Sequence, residues 1–243
     1  MNEQATVAVF RPDDERLESA TALLEDLGVD PIADPMLAVE PTETTPRTDA
    51  EYVVLTSKTG VELVSDVWQP GEATVCAIGP KTADALREKG YTVDIVPEEF
   101  TSSGLVDELA DDVDGARLEV ARSDHGSDVL LDGLTAAGAY VHETVLYRLV
   151  RPEGSGKSAT LAANGDLAAA CFTSSLTVEH FLEAAEARGV REEALAGLES
   201  ATVGVIGEPT AETARSLGLE VDIVPKEATF EALAQETVAA LDR

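Results

Sequence analysis

The sequence predicts an α/β protein made of two doubly wound, parallel-sheet domains, and three observations lead there. Short β-branched runs alternate along the chain with stretches of 3.6-residue apolar period, the pattern of parallel strands joined by crossover helices. One strand-turn-helix phrase occurs twice: AIGPKTADALREKGYTVDIVP (Ala77–Pro97) returns as VIGEPTAETARSLGLEVDIVP (Val205–Pro225), with about half of the positions identical. The 243 residues also accommodate two domains of ordinary size.

Taken in order, Thr6–Phe10 reads as a strand, and Leu17, Ala20, Leu24 and Leu27 mark one face of the helix after it. VVLTSKTGVELV (Val53–Val64) is a second strand-turn-helix phrase, echoed by ACFTSSLTVEHF (Ala170–Phe181). Val75–Ile78 is a strand, Ala83 and Leu86 face the core from the following helix, and Gly90 stops that helix before the next strand. More weakly, VFRPDDERLESATALLEDLG (Val9–Gly28) is echoed by VARSDHGSDVLLDGLTAAG (Val120–Gly138). Three phrases, each written twice, thus recur in the same order along the chain.

Composition narrows the function. Aromatic residues are 4% of the chain against 44% hydrophobic in all, so the core is expected to be Ala, Val and Leu. Cys76 and Cys171 lie in apolar runs and match neither a metal site nor a C-x-x-C pair, which predicts buried free thiols. With three histidines the sequence suggests no metal site. No apolar run is long enough to span a bilayer and no signal-peptide pattern opens the chain, so a soluble cytoplasmic protein with no membrane partner is expected.

Charge is the most unusual property. Forty-seven acidic residues against 17 basic ones give a net charge of −30, spread through segments with clear apolar periodicity and therefore carried on folded surfaces. Nucleic acid is excluded as a partner. Twelve of the basic residues are Arg and five Lys, a balance that points to an extreme halophile. In about 1 M salt the Debye length is about 3 Å, so self-repulsion is screened and the acidic surface keeps the chain soluble.

In doubly wound sheets ligands bind beyond the carboxyl ends of the strands. Four turns fall there. GPKT (Gly79–Thr82) and GEPT (Gly207–Thr210) each place a glycine after a strand and open a helix, whose free N–H groups and positive end suit a carboxylate or phosphate. TSK (Thr56, Ser57, Lys58) and TSS (Thr173, Ser174, Ser175) offer hydroxyls. The same threonines and serines also suit helix capping. Arg11, Lys58, Lys81, Arg122, Arg148 and Arg151 stand at or beside strand ends, whereas the intervening helices carry most of the acids. No G-x-S-x-G elbow, G-x-G-x-x-G or P-loop is present, so the expected chemistry uses neither an activated serine nor a nucleotide, and no cofactor.

LTSKTGVE, AIGPKTADALREKG, RSDHGSDVLLDGLTAAGAYVHETVLYR, FTSS and VIGEPTAETARSLG, in this order, resemble the uroporphyrinogen-III synthase family over essentially the whole chain. The resemblance implies two flavodoxin-like domains joined by two extended linker strands. Carried onto this sequence, residues 1–34 with 150–243 form one discontinuous domain and residues 39–146 an inserted one, with hinge connectors at 35–38 and 147–149. It implies a cofactor-independent lyase that cyclises hydroxymethylbilane, a linear tetrapyrrole with eight carboxylates, with ring D inversion and loss of water, in a cleft between the domains. It further implies a monomer that receives substrate by transient handover from hydroxymethylbilane synthase.

The family's tyrosine corresponds to Tyr147, whose phenol would assist the departing hydroxyl. Its substrate-binding turns map to Thr56, Ser57, Gly79, Thr82, Thr173, Ser174, Gly207 and Thr210; the cations Arg11, Lys58, Lys81 and Arg122 and the hydroxyl of Ser175 complete the expected set. Glu208 departs from the family's less acidic turn, and a contact between that turn and an anion requires its carboxylate to face solvent. Two readings from other classes remain open: a non-catalytic two-lobed binding module for an acidic small molecule, and a transferase or isomerase acting on a phosphorylated metabolite.

Overall fold

A computed structural model describes residues 4–241. The chain runs β1 (Thr6–Phe10), α1 (Glu15–Asp26), β2 (Asp30–Ala33), β3 (Ala38–Pro41), β4 (Tyr52–Leu55), α2 (Lys58–Val64), β5 (Thr74–Ala77), α3 (Pro80–Glu88) and α4 (Ser102–Leu109). It continues through β6 (Arg117–Ser123), α5 (Asp128–Ala136), β7 (Tyr140–Val150), α6 (Lys157–Asn164), β8 (Ala169–Phe172), α7 (Ser175–Ala187), α8 (Arg191–Leu198), β9 (Thr202–Val205), α9 (Glu208–Ser216) and α10 (Phe230–Leu241). Two compact units result: Val39–Leu149 forms one, and the chain up to Ala38 together with Val150 onward forms the other.

The discontinuous unit has a four-stranded sheet in the order β2-β1-β8-β9, parallel at every pairing. From β1 the chain goes to β2 on one side, and on its return places β8 on the other. The inserted unit has the order β3-β7-β6-β4-β5, parallel from β7 to β5. There β5 and β6 flank β4 on opposite sides. Each sheet thus has a switch point where the winding reverses, between β1 and β8 in one unit and between β4 and β6 in the other, which opens a crevice at the carboxyl ends.

Alternation along the strands divides each unit into two cores. In β1, Ala8 and Phe10 face one layer of helices while Val7 and Val9 face the other. Phe10, Phe172 and Phe181 meet on the first of these faces, with centroids 4.5 to 5.6 Å apart. In β4, Val53 and Leu55 pack on one side and Val54 on the other. Each fully buried aliphatic or aromatic side chain contributes about 1.5–3 kcal/mol. Both cysteines are free and buried.

The repeated phrase has a structural meaning in each unit. Asp94 accepts from Val75 N at 2.8 Å and Ala77 N donates to Ile95 O at 2.9 Å; Asp222 with Val203 and Ile223 with Val205 give the same distances. VDIVP is therefore the edge closure of β5 and of β9. The strand expected after Gly90 is reduced to a single bridge, Cys76 to Ile95, because a side-chain carboxylate takes the neighbouring N–H. Gly90 and Gly218 lie at φ +87 and +92, the left-handed stop that closes α3 and α9. Among the described residues no helix is long and apolar enough to cross a membrane.

Candidate functional site

Each switch point holds a cavity of about 370 Å³. In the discontinuous unit the turn after β1 supplies Arg11, the turn after β8 supplies Thr173 and Ser174, and the start of α10 supplies Thr229 and Phe230. In the inserted unit the turn after β4 supplies Thr56 and Ser57, the end of β6 supplies Arg122 and Ser123, and β7 supplies Tyr147. The elements behind these side chains are parallel strands fixed on both edges, so the turns stand on rigid supports.

In the first cavity the Arg11 guanidinium lies 5.0 Å from the centre of the Phe230 ring, and its Nε is buried without a hydrogen-bond partner. Burial, then the neighbouring Arg16, pushes the Arg11 pKa down from the ordinary arginine value. Among the described residues no carboxylate forms an ion pair with Arg11, whereas Arg16 is held by Asp14 at 2.5 Å. A cation with an open side and a desolvated Nε attracts an anion strongly. Thr173 Oγ1 donates to Phe10 O at 2.6 Å, and Ser174 caps α7 in a reciprocal capping box with Thr177.

In the second cavity Tyr147, 6% exposed, donates its phenol proton to Ser57 Oγ at 3.0 Å. Ser57 in turn accepts from Gly60 N at 3.0 Å as the cap of α2. Thr56 lies at the cavity wall. Arg122 is occupied within the fold: Nε donates to Glu143 at 2.5 Å and Nη1 to Ser127 O at 2.6 Å, with Asp128 at 3.6 Å. That cation organises the wall of the cavity with its own hydrogen bonds.

Glycine, not threonine, caps each glycine-turn helix: Gly79 and Gly207 are the caps of α3 and α9, with proline in the first turn. Thr82 and Thr210 sit one turn in and are each 4% exposed. Capping therefore explains Ser57 and Ser174 but neither of these threonines. Glu208 pairs with Arg215 at 2.6 Å and its side chain is 60% exposed, so the acid at the second glycine turn faces solvent. Ser175 is drawn into α9 contacts through Thr213 at 2.8 Å. Lys58 pairs with Glu62 at 3.5 Å, Lys81 and Arg148 are exposed, and Arg151 reaches Ser155 at 3.3 Å.

Sequence reasoning missed Phe100, Thr101, Thr229 and Phe230, all of which border the two cavities. A signal was present: beyond the repeat as quoted, Glu99-Phe100-Thr101 matches Glu227-Ala228-Thr229 in the same frame. Thr101 and Thr229 each hold the N–H three residues on, at 3.0 and 3.2 Å.

A larger cavity, about 870 Å³, lies elsewhere, at the amino ends of β4, β6 and β7. Arg47 and Arg117 on its wall are neutralised by Asp49 and Glu51, and His142 meets buried Glu119 at 2.7 Å. It is on the opposite edge of the sheet from the switch point, and among the described residues it offers no open cation.

Residues 18–235 match the family model described as uroporphyrinogen-III synthase HemD. A relative from Methanothermobacter thermautotrophicus, provisionally named a uroporphyrinogen-III synthase, is 31% identical over 97% of this chain and 96% of its own. A uroporphyrinogen-III synthase of Synechococcus elongatus is 27% identical, covering 76% of this chain and 73% of that protein. The fold resembles the crystal structure of a mutant uroporphyrinogen III synthase from Thermus thermophilus, with a TM-score of 0.69 at 21% identity over 98% of this chain and 99% of that one. The Helicobacter pylori enzyme gives 0.63 at 16% identity, covering 98% of this chain and 99% of its own. By the span of the family match and the identity to a full-length relative, the chain belongs to the uroporphyrinogen-III synthase family.

Proposed function

We propose that this protein is a cofactor-independent uroporphyrinogen-III synthase, a lyase that closes hydroxymethylbilane to uroporphyrinogen III. The observation that carries the reading is that each switch-point crevice is lined by turns of the same repeated phrases, with an open Arg11 in one unit and, in the other, a buried Tyr147 hydrogen-bonded to a half-buried Ser57. Cationic and N–H-rich turns suit the substrate's carboxylates; the buried phenol suits the reacting end.

Ring A loses its hydroxyl as water, leaving an electrophilic azafulvene. The substituted carbon of ring D attacks it to give a spiro intermediate, which fragments and recloses with ring D inverted. Unassisted closure attacks from the unsubstituted carbon and gives the type I isomer, so the protein's principal contribution is to hold a conformation in which the substituted carbon is the nearer nucleophile. Tyr147, now donating to Ser57, would turn its proton to the departing hydroxyl, while Ser57 would donate a hydrogen bond to the phenolate until the proton released on ring closure restores the phenol. No step requires a metal or an organic cofactor.

The reading includes a cytoplasmic monomer that takes its substrate from hydroxymethylbilane synthase and operates in molar salt. Hydroxymethylbilane supplied to protein treated with a strong chelator should give type III product at an undiminished rate. A rate that collapses with the chelator and returns with added metal would contradict the cofactor-independent step.

A further inference from the structure

Phe100 is 60% exposed, while Phe10, Phe172 and Phe181 are fully buried and Phe230 is 9% exposed. In a chain so poor in aromatics and so acidic on its surface, one phenyl ring left in water at a cavity mouth calls for a physical reason. The ring is not on a loose loop. Thr101 N donates to Glu99 O at 2.7 Å, Thr101 Oγ1 accepts from Gly104 N at 3.0 Å, and a Cβ at Gly104 would collide with the Glu99 carbonyl.

Gly79 completes the support. Its backbone is extended and open to any residue, but a Cβ there would stand 3.2 Å from Phe100 Cβ. Gly79 therefore lets the stem of Phe100 lie against the start of α3 while the ring borders the cavity that holds Ser57 and Tyr147. The other copy of the repeat keeps Glu227 and Thr229 but has Ala228 in place of the ring, and the nearest atom to a Cβ at Gly207 is Pro209 Cδ at 4.0 Å. The same backbone device thus presents an aromatic face in one unit only. The discontinuous unit presents Arg11 on a buried ring instead.

We propose that Phe100 is a substrate-contacting specificity residue whose ring packs on one pyrrole of the linear tetrapyrrole at the mouth of the inserted unit's crevice. The proposal rests on the synthase reading for its ligand. Electron-rich pyrroles joined by methylene bridges offer faces and edges that suit offset or edge-to-face contact with a phenyl ring. Molar salt screens carboxylate attractions but not an apolar contact, so an aromatic anchor keeps its hold under the salt conditions that suit so acidic a surface.

The test is equilibrium binding of uroporphyrin III, the stable oxidised product, to wild type, Phe100→Ala and Phe100→Trp in molar KCl, beside KM and kcat with hydroxymethylbilane. Phe100→Ala should weaken binding and raise KM roughly five- to tenfold with kcat much less affected, and Phe100→Trp should restore both. Its thermal midpoint should equal that of wild type, because the ring is mostly exposed. Undiminished porphyrin binding by Phe100→Ala, or no saturable binding by wild type, would overturn the proposal. A loss not recovered by Trp and accompanied by a lower thermal midpoint would do the same. A wild type that forms only type I product, with Phe100→Ala still binding porphyrin more weakly, would defeat the synthase reading and leave the ring contact standing.

Discussion

Tyr147 Oη donates to Ser57 Oγ at 3.0 Å, tying the interior of β7 to the first turn of α2. The serine is already the helix cap, so its lone pairs serve a backbone N–H and a phenol together. Replacing Tyr147 by Phe removes one hydrogen bond, at a cost of about 0.5–1.5 kcal/mol, and leaves the packing. On the proposed mechanism kcat falls about a hundredfold while KM moves little. Steady-state kinetics beside a thermal melt separates the two effects; unchanged kcat would reduce Tyr147 to a packing residue.

Arg11→Gln removes the open cation of the discontinuous unit. Its stacking on Phe230 is worth about 0.5–1 kcal/mol, so the fold survives. Binding of a polycarboxylate should weaken about tenfold, the expectation for one lost charge-assisted contact. A titration with uroporphyrin III reads this directly, and equal affinity in the variant would remove Arg11 from the binding surface.

Asp34, 1% exposed, accepts from Gly156 N at 2.8 Å and Ser158 N at 2.9 Å and from the Ser158 hydroxyl. It caps α6 from a segment more than a hundred residues away in sequence. Asp34→Ala should destabilise the discontinuous unit by about 2–4 kcal/mol, since it leaves buried donors without acceptors. Urea unfolding in constant KCl measures it, and a loss below about 1 kcal/mol would mean that water replaces the carboxylate.

Much of this was legible in the sequence because it is local. The strand-turn-helix alternation, the stop at Gly90, and the buried thiols follow from spacing and residue type. What was not legible depends on partners distant in sequence. Arg122 read as an open cation, yet Glu143, one strand away, holds it; Thr82 and Thr210 read as possible caps, yet glycines three residues earlier take that position. Phe100 and Phe230 were passed over because the repeat differs there, and the difference is what separates an exposed ring from one that carries an arginine.

Burial pushes the thiols of both Cys76 and Cys171 up to about 12. A folded pKa above the unfolded value of about 8.5 gives stability that is whole below about pH 8.5 and is lost as pH rises toward about 12. Iodoacetamide at about pH 8 should therefore label neither cysteine in molar KCl and both after denaturation. Rapid labelling of the folded protein would show that the strands open locally.

The charge of −30 must coexist, on the proposed function, with a substrate that bears eight carboxylates. Between about 0.1 M and 1 M salt the Debye length falls from about 10 Å to about 3 Å, so both self-repulsion and substrate repulsion shrink. Thermal midpoint and kcat/KM should rise together across that range of KCl. Activity that falls while the protein stays folded would contradict this electrostatic balance.

The most direct measurement is the isomer ratio of the product. Fresh hydroxymethylbilane is added to the purified protein in molar KCl, the porphyrinogens are oxidised, and uroporphyrins I and III are separated by chromatography against a protein-free control. The synthase reading predicts predominantly type III with protein and type I without it; type I in both would contradict it.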